Sequence, residues 1–122
     1  MLIALFTILL LGGGSTATLA YIADTQDNVK IVMVKDERRK DALSTLKAMK
    51  KRTNARNKQV RRSMKDLRKE LGQDNVNSVD IDAIWDAYFA EIDQYDHDML
   101  DLRWELKGHI NREEWQEIFS GD

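Results

Sequence analysis

Between Gly14 and Gly72 the chain carries neither glycine nor proline, and no proline occurs anywhere in its 122 residues. A run of that length without a backbone breaker favours continuous helix. Gly72 and Gly108 stand alone as punctuation, and Gly121 lies at the tail. The sequence therefore predicts an all-α chain. It would have an N-terminal transmembrane or signal helix, then a long antiparallel helical hairpin with a short C-terminal helix. The length allows one domain at most. With no cysteine, the chain can form no disulfide, thiolate metal site or cysteine nucleophile.

Residues 1–23 contain no charged side chain. As a helix this stretch spans about 34 Å, enough for a hydrocarbon core of about 30 Å. It is most apolar over residues 2–11 and is then diluted by Gly12, Gly13, Gly14, Ser15, Thr16 and Thr18. The expectation is a membrane anchor over residues 1–23. The competing reading is a cleaved export signal, with Ser15/Ala17 or Thr18/Ala20 as the small residues before the cut. Against cleavage, no Lys or Arg precedes the apolar run. Lys35, Arg38, Arg39 and Lys40 follow it, as does Lys30. For a retained anchor the positive-inside rule sets the helical domain in the cytoplasm. A cleaved signal would set it in the periplasm or outside the cell. The same cations suit the anionic headgroups of a lipid bilayer. The three adjacent glycines lack GxxxG spacing and carry no argument for dimerisation in a membrane.

Residues 24–42 read as a juxtamembrane helix or linker, with Asp24 or Asp27 as a helix cap. Residues 43–122 read as the hairpin domain. Its first, basic helix (43–71) carries a 3/4-spaced stripe through Leu43, Leu46, Lys50, Thr53, Asn57, Val60, Met64, Leu67 and Leu71. That is a coiled-coil-like seam, apolar at both ends and polar in the middle. Its acidic partner (80–107) carries Ile81, Trp85, Tyr88, Ile92, Tyr95, Met99, Leu102 and Leu106 at the same spacing. Gly72 suits a left-handed helix end, and Asp80 suits an N-cap stapled by Val79 and Ile84. Two helices of nearly equal length joined by a short loop predict an antiparallel hairpin. Counting outward from the loop pairs Leu67 with Trp85, Asn57 with Tyr95 and Leu46 with Leu106. It also sets Arg56 near Asp98, and Lys47 near Arg103 at some cost. Gly108 is expected to end the acidic helix. Asn111 and Glu114 form a capping box for a last helix (111–119). Ile110 staples to Trp115, and Trp115, Ile118 and Phe119 are expected to fold back near Leu43 and Leu46.

The net charge of −2 hides two opposed halves. Residues 30–71 hold 16 Lys/Arg against 5 Asp/Glu, and residues 72–122 hold 3 against 14. The plain reading is two helices whose fields attract as they pack; the sharper one is a charged partner. Nucleic acid is disfavoured as that partner. The basic helix lacks stacking aromatics, and no Phe, Tyr or Trp falls between Ile22 and Ile84.

Catalytic chemistry finds little purchase. The two histidines stand in no triad or His-x-x-x-His arrangement, and no glycine-rich phosphate loop is present. Residues 103–114 imitate a calcium loop only in their second half, because Arg103 and Lys107 stand where acidic ligands belong. Asp93, His97 and Asp101 lie on one helical face, a weak metal site at best. No cofactor is implied, and the chain reads as a non-enzyme. The residues marked for interaction are Lys35, Arg38, Arg39, Lys40, Arg56, Asp98, Trp85 and Trp115. The function expected is a membrane-anchored scaffold, adaptor or accessory subunit that binds a protein partner or self-associates. The alternative is an exported periplasmic helical binding protein with weak metal binding on its acidic helix.

Overall fold

The computed structural model describes residues 15–73 and 76–120. Among them lie four helices and no strand: α1 (Ser15–Val32), α2 (Glu37–Leu71), α3 (Ser78–His109) and α4 (Arg112–Ile118). The chain is all-helical, as its breaker-free sequence predicts, and α2 and α3 form the antiparallel hairpin. Most of residues 1–23, where the anchor was expected, lie outside the described residues. No described helix is long and apolar enough to cross a membrane.

Helix α1 runs unbroken through the point where anchor was to give way to linker. Asp24 and Asp27 sit inside it and cap nothing. Its buried stripe is Thr18, Ile22, Thr25 and Val29, with Met33 just past its end; spacings of 4, 3, 4 and 4 keep one face on the hairpin. Thr25 is tolerated in that face for a local reason: its Oγ1 donates to the Tyr21 carbonyl of its own helix at 2.8 Å. Helix α2 then starts six residues before the regular stripe. Its N-cap is Asp36, whose carboxylate accepts from the Arg39 amide at 3.1 Å.

Other ends differ by a turn or less. Gly72 closes α2 at φ −83° and ψ −2°, not in the left-handed region. Its amide reaches back to the Arg68 carbonyl at 3.1 Å, and a Cβ there would lie 3.3 Å from the same oxygen. Space, rather than positive φ, is what glycine supplies. Asn77 caps α3 in place of Asp80, accepting from the Val79 amide at 3.0 Å. Gly108 does not stop α3, which continues to His109 and is capped by Ile110.

The last junction follows the sequence closely. Asn111 Oδ1 accepts from the Glu114 amide at 2.8 Å, and Glu114 Oε1 accepts from the Asn111 amide at 3.1 Å. This capping box turns the chain so that α4 lies against α1. Asn28 Nδ2 donates to the Ile118 carbonyl at 3.0 Å, and the Tyr21 and Phe119 rings stack at 6.3 Å. Asn111→Ala is expected to cost about 1 kcal/mol, read as a lower denaturation midpoint with an unchanged slope.

The core lies at the open end of the hairpin. Ile22, Val29 and Met33 of α1 and its exit meet Ala42, Leu46 and Met49 of α2. Tyr95, Met99 and Leu106 of α3 and Ile118 and Phe119 at the end of α4 close the cluster. Leu46 and Leu106 line the same small gap of about 10 Å³, with Ile22 and Phe119. That end is the base. Among the described residues no third helix lies over the other half of the hairpin, which forms an arm.

Candidate docking surface on the hairpin arm

Two helices alone cannot enclose the seam between them. At the base α1 lies over the seam, where Leu46, Thr53, Met99 and Leu106 are buried and Leu43 and Leu102 partly so. Along the arm Val60, Met64, Leu67, Ile81, Ile84, Tyr88 and Ile92 are each only half-buried, although their spacing is as regular. Near the loop the apolar side chains come fully to the surface, with Phe89 56% and Val79 71% exposed and Leu71 and Val76 beside them. The Trp85 ring stacks on Phe89 at 5.8 Å and meets Tyr88 edge-on at 5.7 Å. Trp85 stands five turns before Arg103, which lies within electrostatic reach of Tyr21 on α1. Trp85 therefore sits on the α1 side of α3. Among the described residues nothing fills along the arm the groove that α1 fills along the base, and Trp85 and Phe89 flank it.

Arg52 marks where base becomes arm. Its Nε donates to Asp98 at 2.8 Å and its Nη2 to Glu91 at 2.9 Å. Beside it the Thr53 and Tyr95 hydroxyls share a buried hydrogen bond of 3.0 Å. The guanidiniums of Arg52 and Arg56 lie over the Tyr95 ring, at 5.4 and 4.9 Å from its centre. Asp98 thus pairs with Arg52 and not with Arg56, and Tyr95 meets Thr53 and not Asn57. Each partner lies one turn from the position that counting from the loop gives. Arg52 went unmarked for that reason, and Thr53 was placed in the seam without its partner.

The other residues marked from sequence scatter. Arg38 forms a forked pair with Glu114, at 2.8 and 3.2 Å, and ties α2 to α4. Lys35, Arg39 and Lys40 line an open depression of about 630 Å³ at the α1–α2 turn. Trp115 packs on Phe119 at 4.5 Å, against the base rather than on a binding face. Trp85 and Arg56 alone fall on the arm. Asp93, His97 and Asp101 are exposed on one line of α3. No group of three or more acidic or histidine side chains among the described residues could hold a metal ion.

The carboxylates at these ties have shifted titrations. The Arg52 hydrogen bond, with a second from Gln94, holds Asp98 below the usual carboxylate range. The Arg38 hydrogen bond does the same for Glu114. Burial pushes Asp96 the other way, against the opposing charge of Arg56. A depressed carboxylate stabilises the fold above its unfolded pKa, about 3.9 for Asp and 4.3 for Glu, and that contribution is lost as pH falls through the folded value. Asp96 acts in reverse: it favours the unfolded chain at neutral pH and ceases to as it protonates. Denaturant midpoints measured from pH 7 down to pH 3 are expected to fall in the parent. The fall should be shallower in Arg38→Gln/Arg52→Gln, and Asp96→Asn should raise the midpoint at pH 7.

No family model, no curated protein and no solved structure matches the chain. The geometry has to carry the function alone.

Proposed function

We propose that the protein is a helical scaffold or adaptor that docks a protein partner on the arm of its hairpin, at a membrane. One observation carries this reading: among the described residues the α1 groove is left open along the arm, flanked by the exposed Trp85–Phe89 pair. Exposed aromatics clustered beside a half-buried seam are what a partner helix would cover. The membrane location rests on the sequence. Residues 1–17, ahead of the buried Thr18, carry no charged side chain. That is the short end of the roughly 17–25 residues that span a bilayer. The cations from Lys30 to Lys40 favour the cytoplasmic side for the helical body.

Two measurements test the reading. A photo-crosslinking residue placed at Phe89 in living cells should give a protein adduct, and the same residue at exposed Gln116 should not. No adduct at Phe89, or equal adducts at both, would defeat the docking proposal. A single cysteine at His97, labelled with a membrane-impermeant reagent, should react only after the cells are opened; labelling of intact cells would reverse the orientation.

A further inference from the structure

Helix α1 and the groove share one direction. The turn at residues 33–36 makes α1 antiparallel to α2, and the hairpin makes α2 antiparallel to α3, so α1 and α3 run parallel. From Val29 at the base, α1 passes Ile22, which lies beside Leu46, Met49 and Leu106 over the groove. Seven residues further back, Ser15 comes level with about residue 55 of α2, just past Arg52. The N-terminal end of α1 therefore aims along the part of the groove that no described residue fills.

Residues 1–14 have the length and the chemistry to continue that way. As a helix they span about 21 Å, and residues 56–71 of α2 span about 24 Å. They carry no charge, and eight of the first eleven are Leu, Ile or Phe. Tyr21 lies within electrostatic reach of Arg103. Fourteen residues before these two stand Thr7 and Phe89, about four helical turns back and so close to the same face. A continued α1 would set residues 3–8 beside Trp85 and Phe89. Neither the groove nor a bilayer holds such a segment outright. The groove covers one face and leaves the other, equally apolar, in water. A bilayer takes about 17–25 residues to span, and the uncharged run ahead of Thr18 lies at the short limit. Gly12, Gly13 and Gly14 fall where the segment would part from α1, and glycine is the weakest helix former after proline.

We propose that residues 1–14 are the arm's own cover: away from lipid they lie in the groove against Trp85 and Phe89, and at a membrane they leave it for the bilayer. A partner's site would then open only where the protein is anchored. That regulation rests on the arm being the docking surface.

The chain has no cysteine, so Thr7→Cys/Phe89→Cys carries the only two thiols. Treated with a short flexible bismaleimide in dilute, detergent-free buffer, it should link within one chain. Vesicles of phosphatidylcholine and phosphatidylglycerol should slow that link at least tenfold, and so should Trp85→Lys without vesicles. Thr7→Cys/Gln116→Cys should not link, and circular dichroism checks that each variant stays helical. No link without lipid overturns the inference. So does a link that vesicles leave unchanged, one formed only between chains, or one formed equally at Gln116. A chain that stays dispersed only with lipid or detergent overturns it too, since a sheltered segment needs neither. A Phe89 adduct in cells without the link overturns the cover and leaves the docking surface standing. A link that vesicles slow, without an adduct, upholds the cover and overturns only the docking surface.

Discussion

Leu106→Ala is expected to destabilise the protein by about 3 kcal/mol, within the roughly 2–5 kcal/mol typical of a buried leucine. Leu67→Ala, the same change at an equally regular seam position, is expected to cost about 1 kcal/mol because its side chain is only partly withdrawn from water. Leu106 is 1% exposed and shares its small gap with residues from α1, α2 and the end of α4. Deleting its methyl groups enlarges a space that four chain segments hold open and cannot readily collapse. Leu67 faces one neighbouring helix, and solvent reaches the gap it leaves. At about 4–8 °C per kcal/mol for a domain of this size, the two melting temperatures should differ by more than about 8 °C. Equal losses would mean that the arm is as well enclosed as the base, and would remove the ground for an open docking surface.

What the sequence discloses about this fold depends on how local the determining interaction is. The Asn111–Glu114 capping box needs four adjacent residues, and it stands as read. The hairpin follows from two 3/4 stripes joined by a short loop, which involves only the chain's own periodicity. The register at Arg52 does not follow. A one-turn offset between helices still leaves the two apolar stripes facing each other but changes which layers meet and which long side chain reaches which acid. Asn77 and Asp80 are both good caps, and the chain takes the earlier one, which starts α3 a few residues sooner. The interaction surface was legible only in part. Trp85 was marked as one seam residue among eight, because periodicity gives a residue's face but not whether a third helix covers it. That depends on where α1 ends, and α1 was hidden by the uncharged run it shares with residues 1–14. Its stripe of Thr18, Ile22, Thr25, Val29 and Met33 crosses the apparent boundary at residue 23 with its spacing intact, and that was the signal available.

Val29→Asp should therefore unfold the base, whereas Ile31→Asp should leave it intact. The two positions are two residues apart on the same helix and carry similar β-branched side chains. Val29 is 0% exposed and Ile31 80%. A carboxylate at position 29 would meet Met33, Ala42 and the other apolar side chains of the base, with no cation in that cluster to pair with. Unpaired burial of that kind costs several kcal/mol, a large fraction of the total stability of a small domain. At position 31 it would face water beside Lys30. Far-UV circular dichroism of the full chain in micelles should show a cooperative transition for Ile31→Asp close to the parent's. Val29→Asp should lose it, or fold only at acidic pH, where the new carboxylate is neutral. The comparison also decides what the second half of the uncharged run is for. If α1 were an extension of a membrane segment with no place in the helical body, both substitutions would be tolerated alike. A selective loss at position 29 assigns α1 to the body, and leaves the residues before Thr18 as the whole of any bilayer segment.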